Sequence, residues 1–515
     1  MSNPELLVEP VSTPGILAAK LLLPIGSADD PAGTRGAHDL LASLLSRGCG
    51  QHNHVDLADL VEGCGAGLRC DAQEDALVLS LRCTVEDAGQ LLPLLAQMVR
   101  SPLLEPGQVS LERSLTIQAL QRQREDPFHC ATTGWRQLTY GSGGYGHDPM
   151  GIAEELVDLD RKTLLPLAER LPKASSVLAL AGSVPPQIID KFRSLEDFRD
   201  WPRGSGKDPS GRRPYAEAVG TETIQLEPMD TEQVVLMLGQ ATLGHGHPDE
   251  LALRLLQCHL GVGMSSLLFQ RLREDHGVAY DVAAHFPALA GPAPFVLMAS
   301  SVEERAELAL DLLMNIWDEL REQALSEAAL ELARAKYIGQ LAQGLQTCSQ
   351  RAERRVQLKS QGLPDDHDQR CVEALAGLTP TDVRQAAKRW LSEPRLSLCG
   401  TSGALEQLAL RASRASGEGP NFRGFEATRR TRAGERGDRR DRVLLANEVL
   451  RRHVVAGPSI QEPDRAARAP RHRGQLELHE ARRRAHVRGV RVEFRGGRGP
   501  SPSALGGIQN HGQPG

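Results

Sequence analysis

The chain carries an internal repeat, and no other feature restricts its fold so strongly. In the first half an apolar run, Ile16 to Leu23, leads to a helical stretch around His38 to Ser46. The segment Glu62-Gly63-Cys64-Gly65 follows, then the alternating run Ala76 to Leu81 and a long amphipathic stretch after Glu86. A little over 210 residues later the order returns: Gln233 to Leu238, a helix around Leu251 to Leu260, then Glu274-Asp275-His276-Gly277, Phe295 to Ser300, and a helix after Glu303. The copies close alike, with helices at Leu159 to Leu171 and Leu378 to Leu391. Each is followed by a short apolar strand ending on glycine, Gly182 and Gly400. Strand, helix, helix, strand, helix thus occurs twice. A chain of 515 residues also exceeds what one core serves, because single cores stop growing near about 250–300 residues.

Local signals support these elements. Thr379-Pro380-Thr381-Asp382 reads as a helix start, with Thr379 as N-cap, Pro380 at the first helical position and an acid in the first turn. Leu308, Leu312, Ile316 and Leu320 recur at the i, i+4 interval and predict one buried stripe on the helix from Glu303 to Leu325. Between the halves, Pro202 to Pro214 is rich in Pro, Gly and charge without periodicity, which marks a linker. The expected division is 1–201, a linker at 202–214, 215–412, and a tail at 413–515. The expected fold class is α+β, each half a mixed, mostly antiparallel sheet covered by helices.

Composition adds exclusions. Hydrophobic residues make up 40% and charged residues 24%, ordinary for a globular chain, while aromatics at 3% leave Leu, Val and Ala to build the cores. Met1 to Pro10 lacks a basic, then apolar, leader pattern, and no segment reaches the 18 or so apolar residues of a membrane span, so a cytoplasmic protein without membrane partners is expected. Nine scattered cysteines, an odd number, fit reduced thiols better than a disulfide framework, and Cys64 and Cys70 do not have zinc-knuckle spacing. The net charge of −6 conceals an asymmetry: residues 421–515 hold 21 Arg, no Lys and 10 acids, a net of +11 against −17 for residues 1–420. Such a tail suits phosphate or an acidic surface. It contains no recognisable RNA-binding module, so a solvated, disordered tail or the product of a frame change in a GC-rich gene is expected instead, and nucleic acid is not an expected partner.

The stretch Gly36-Ala37-His38-Asp39-Leu40-Leu41-Ala42-Ser43-Leu44-Leu45-Ser46-Arg47-Gly48 resembles the zinc-binding helix of the pitrilysin/insulinase family. That family carries His-x-x-Glu-His, in which two imidazoles one helical turn apart bind zinc and the Glu between them is the general base. His38 matches the first His, whereas Leu41 stands at the base and Ala42 at the second His. The family's third ligand is a Glu on a later helix; Glu112 to Ala119, followed by Arg124-Glu125-Asp126-Pro127, is similar to that helix and puts Ala119 at the ligand position. Tyr145 to Gly151 resembles the loop that follows. One imidazole cannot hold catalytic zinc, which needs about three protein ligands. Two histidine pairs, His52-x-His54 and His245-x-His247, lack a Glu at helical spacing and read as loop histidines.

The second half is closer to the family. Gly261 to Tyr280 (GVGMSSLLFQRLREDHGVAY) is similar to its C-terminal signature, a Gly-rich turn, Ser-Ser, Leu-Phe and Leu-Arg-Glu-x-x-Gly-x-x-Tyr. The signature's Arg and Tyr, which match Arg273 and Tyr280, reach toward substrate at the zinc site in the family; a guanidinium and a phenol there hold peptide backbone and stabilise oxyanion charge. Where the family often has Leu-Asn-Ala before its substrate-pairing edge strand, this chain has Leu68-Arg69-Cys70. One branch of the family works as heterodimers, one subunit holding zinc and the other only the Arg/Tyr pair. The resemblance, over roughly residues 10–412, therefore implies a chain inactive alone that binds no cofactor of its own, with a zinc-bearing homologous subunit as partner and a peptide as substrate. A structural core-type subunit without a role in proteolysis is the alternative, and a peptidase with unconventional ligands a third.

Overall fold

The computed structural model describes residues 5–194, 198–199, 201, 215–216 and 222–415. The expected linker at 202–214 and residues 416–515 of the expected tail lie outside them, whereas 413–415, also expected in the tail, close the last helix. The apolar runs that open the two copies become central strands of two sheets. Strands β1 (Glu5–Pro10), β2 (Ile16–Leu23), β3 (Gly67–Ala72), β4 (Leu77–Thr84) and β5 (Val177–Gly182) form the first, in the order β1-β5-β2-β4-β3. Strands β6 (Ile224–Pro228), β7 (Gln233–Ala241), β8 (Val282–His285), β9 (Pro294–Val302) and β10 (Arg395–Gly400) form the second, in the order β6-β10-β7-β9-β8. The two orders are the same permutation. In both sheets the first and last strands of the copy pair in parallel, and every other pair is antiparallel.

The first copy supplies helices α1 (Ala37–Leu45), α2 (His54–Gly63), α3 (Val85–Arg100), α4 (Pro106–Gln123), α5 (Pro127–Tyr140) and α6 (Arg161–Ala168). The second supplies α7 (Glu250–Gly261), α8 (Glu303–Glu322), α9 (Glu327–Gln343), α10 (Cys348–Ser360), α11 (Pro380–Trp390) and α12 (Ser402–Ala415). A π-helical run, Phe269–Asp275, stands where the first copy has α2. The two turns matched in the sequence are also alike in backbone, since Gly65 and Gly277 both take left-handed φ, +60° and +58°. Thr379 caps α11 as expected: Asp382 N–H donates to its Oγ1 and its own N–H donates to Asp382 at 2.8 Å.

The stripe expected on α8 is corrected. Leu308 is 44% exposed and Leu312 only half-buried; Ala306, Ala309, Leu310, Leu313 and Trp317 are the buried partners of Ile316 and Leu320. An i, i+4 row drifts about 40° around the axis per step, so it leaves the core within three steps unless i+3 positions return it.

Each sheet is covered on one face by helices of its own half and on the other by a helix of the opposite half. Helix α5 lies across β10, β7 and β6, and α10 lies across β2, β5 and β1. On α5, Trp135 and Tyr140 pack edge-to-face at 5.9 Å, and both are buried with the second sheet's core. Trp135 Nε1–H donates to Arg395 O at 3.1 Å. Under α10, Ala352 and Val356 pack on Leu22, Val78, Val177 and Ala179. Lys20 points the same way from the middle of β2 and is 2% exposed; it donates to Glu353 of α10 and to Ser80, both at 2.8 Å. A buried ammonium without a partner costs several kcal/mol, so Glu353 fixes where α10 can lie.

Candidate zinc-site face and the Arg/Tyr signature

Helix α1 buries seven of its nine residues, because it is held between the first sheet and α4. His38 is among them at 1% exposure, and its Nδ1 lies 2.7 Å from Oδ1 of Asp30. Asp30 also accepts from Gly36 N–H at 2.6 Å and His38 N–H at 2.9 Å. The carboxylate thus closes the orphan donors at the helix start, and the imidazole is its third donor. Leu41 and Ala42 are core residues at 0% and 1% exposure. The two residues of α1 that are only partly buried are Asp39 and Ser43, one turn apart. A ligand pair on this helix would occupy that face, one position along from His38 and Ala42.

Helices α1 and α4 run antiparallel. Arg47, just past α1, pairs with Glu112 near the start of α4 at 2.6 Å. Gln123 at the end of α4 meets Met150, whose carbonyl lies against Gly36 at the start of α1. That register sets Ala119 beside the turn from Asp39 to Ser43. Burial is the main force that raises the Asp39 carboxyl to a pKa of about 7, with Asp148, Asp30 and Asp71 adding repulsion. The edge strand β3, which carries Leu68, Arg69 and Cys70, pairs with β4 on one side only, and α1 packs against it. Burial likewise pushes the Cys70 thiol up.

Zinc does not fit this face. His38 is buried against Asp30 and off the face, Leu41, Ala42 and Ala119 offer no donor atom, and the remaining carboxyl, that of Asp39, holds its proton near neutral pH. No group of three His, Cys, Asp or Glu side chains among the described residues is arranged to hold a metal. Of the two histidine pairs expected in loops, His52 instead stands in a two-residue strand and His54 opens α2, while the second pair has hydrogen-bond partners. His245 Nδ1 lies 2.6 Å from Glu250, and His247 Nδ1 accepts from Asp249 N–H and packs on Trp390.

The signature of the second half is built differently. Helix α7 gives way at Gly261, whose added Cβ would stand 2.6 Å from Ala284 N, so the close approach to β8 needs glycine. The π-helical turn follows, a form frequent at functional sites. It closes where Val278 N–H donates to Leu272 O at 2.8 Å. Tyr280 N–H then donates to Ser300 O of β9 at 3.0 Å, which fixes the backbone while the ring stays 71% exposed. Arg273 is exposed, stacks over Phe269 at 4.9 Å and donates to Tyr280 O at 3.2 Å. The pair is therefore brought together. Among the described residues, neither hydrogen-bonds to His38, Leu41, Ala42 or Ala119.

Asp39, Ser43 and Asp30 were not singled out in the sequence. The helical face would have found the first two, since Asp39 and Ser43 are, beside His38, the polar positions of an otherwise apolar run and stand one turn apart.

The chain is similar to known proteins over both halves. The family model for insulinase (peptidase family M16) matches residues 13–143, and that for the peptidase M16 inactive domain matches residues 173–337. A protein of Mycobacterium tuberculosis named an uncharacterized zinc protease is 25% identical over 338 residues, 64% of this chain and 75% of the relative. One of the same description from Streptomyces coelicolor is 23% identical over 389 residues, 73% of this chain and 83% of the relative. Among solved structures, a peptidase M16 inactive domain from Pseudomonas fluorescens superposes with a TM-score of 0.68 at 19% identity, covering 78% of this chain and 96% of the other. A protease from Helicobacter pylori gives 0.70 at 16%, covering 78% and 98%. These matches, with the doubled five-stranded sheet and the signature ending at Tyr280, place the chain in the insulinase (M16) peptidase family as a member without that family's catalytic motif.

Proposed function

We propose that the chain is a non-catalytic subunit of a heterodimeric zinc peptidase, lending Arg273 and Tyr280 to a site whose zinc is held by a homologous partner. One contrast supports the reading. The face made by Asp39, Ser43 and Ala119 has no ligand set, whereas the signature's guanidinium is exposed and donates to Tyr280 O, and its exposed phenol stands on backbone bonded to Ser300. An exposed guanidinium and an exposed phenol, carried on a backbone tied to β9, suit hydrogen bonding to a peptide carbonyl as charge develops on its oxygen. The two halves, 1–201 and 215–412, belong to the same proposal as peptidase-like domains that keep the family's frame without its metal.

Mixed with a zinc-bearing homologous subunit, the chain should support peptidase activity that falls about 10²–10³-fold on Arg273→Ala or Tyr280→Phe, the usual value of one such donor. The loss should lie in kcat, because ground-state contacts along the peptide remain. Size-exclusion chromatography of each variant complex establishes assembly first. Variants that assemble and keep full turnover would show a structural subunit with no share in proteolysis.

A further inference from the structure

Helix α5 and strand β10 come from opposite halves and are matched in step. Four helical residues rise about 6 Å, close to the length of two strand residues, so every fourth position of α5 meets every second position of β10. At one end Arg395 donates to Leu138 O at 2.6 Å, and Trp135 donates back to Arg395 O. One step on, a Cβ added to Gly134 would lie 2.9 Å from Ser397 Oγ. The next step brings Cys130 opposite Cys399, close enough for each thiol to bear on the other, while Cys130 Sγ–H donates to Arg124 O at 3.4 Å. Glu227, register partner of Cys399 on β6, faces the same helix and would meet a Cβ on Gly134.

The two sulfurs differ in access. Cys130 is half-buried at the start of α5, whereas Cys399 is completely buried in the sheet. The neighbouring Cys399 thiol, with help from Arg124, also holds the Cys130 thiol below its ordinary range despite partial burial and the nearby Glu227 and Asp126. Nucleophile and resolving thiol are thus distinct: one reachable and more acidic, the other sheltered beside it.

We propose that Cys130 and Cys399 form an oxidation site, a reversible disulfide that fastens the crossing helix of the first half to the sheet of the second. The oxidant is a low-molecular-weight disulfide. The Cys130 thiolate attacks one of its sulfurs, forming a mixed disulfide and releasing one small thiolate, which takes up the proton Cys130 lost. Cys399 then gives up its proton and attacks the Cys130 sulfur; the protein disulfide forms and the second small thiol leaves. Two protein thiols are oxidised and one small disulfide is reduced to two thiols. The site is separate from the zinc-site face and from Arg273 and Tyr280, and stands whether or not the chain has a zinc-bearing partner.

The full chain, treated with glutathione disulfide under native conditions, alkylated and digested with trypsin without reductant, reads out the bond. Cleavage after arginine puts Cys130 in peptide 125–136 and Cys399 in peptide 396–411, each with a single cysteine. The expected product is the two peptides joined, lost on reduction, with two fewer titratable thiols per chain. Cys130→Ser should remove it entirely, and Cys399→Ala should leave Cys130 as a stable glutathione adduct. If either variant fails to fold, as seen by near-UV circular dichroism, the native chain alone decides. Folded native protein that accumulates the Cys130 adduct, or no adduct at all, without the joined peptides would overturn the proposal.

Discussion

Asp39 lies in the first turn of α1, where a helix N-terminus favours an anion, yet its carboxyl is raised from 3.8 to about 7. Burial, reinforced by Asp148, Asp30 and Asp71, outweighs the helix, and no cation pairs with Asp39 among the described residues. The folded state therefore binds its proton more tightly than the unfolded chain. Stability owed to this group falls as pH rises from about 4 to about 7, and the cost is complete above that. Three units at about 1.36 kcal/mol each give about 4 kcal/mol. Asp39→Asn removes that cost and forfeits about 0.3–1 kcal/mol of helix-terminus interaction, leaving a gain of about 3 kcal/mol at pH 8. With an unfolding entropy of roughly 2.1 cal/mol/K per residue over about 400 residues, 1 kcal/mol moves Tm by about 1 °C. Scanning calorimetry should find the variant melting about 3–4 °C higher at pH 8 and within about 1 °C of the parent at pH 4. A variant that melts lower at pH 8, or a difference that does not shrink with acid, would refute the assignment of Asp39 as a buried, uncompensated acid.

The purified chain should hold no stoichiometric zinc after dialysis against a weak chelator, because the ligand face offers only Asp39 and Ser43; close to one zinc per chain by elemental analysis would sink this account. Trp135→Ala removes a buried indole and its bond to Arg395 from the contact between α5 and the second sheet, at a cost of about 3–5 kcal/mol. Its melting should stay one transition, about 4–5 °C lower. A second transition would mean that the two halves unfold independently despite the exchanged helices.

The repeat was legible because apolar runs and glycine stops survive in both copies: Ile16–Leu23 and the glycines at 65 and 277 stand where the pattern puts them. The exchange of α5 and α10 was not legible. A helix that packs on the opposite sheet shows the same apolar positions as one that packs on its own, so periodicity cannot name the partner. Lys20 was the one clue, a charge amid a strand whose neighbours are all buried, and its partner Glu353 is too distant in sequence to be read from it. The zinc-site frame slipped for a related reason. His38 was matched by residue type, yet type does not tell a ligand from a helix-start donor; the faces of α1 do, and they put His38 against Asp30.

The two candidate sites obey opposite rules of energy. Imidazoles and a carboxylate gathered between α1, α4 and β3 would be desolvated groups that only a cation could offset. Without the metal, a small apolar residue is the least costly occupant, and Ala119 is such a residue. Asp39 shows the remainder of that cost, since it stays in place by keeping its proton. Arg273 and Tyr280 are under no comparable pressure. Their side chains are in water, where a surface ion or phenol is worth within about 0.5 kcal/mol to the fold. The one bond from Arg273 to Tyr280 O is made to backbone already held by Ser300. Stability thus accounts for what stands at the zinc face and does not account for the guanidinium and phenol. The property that distinguishes that pair is its reach into solvent from a rigid base, and this is what a substrate or a partner's site would use.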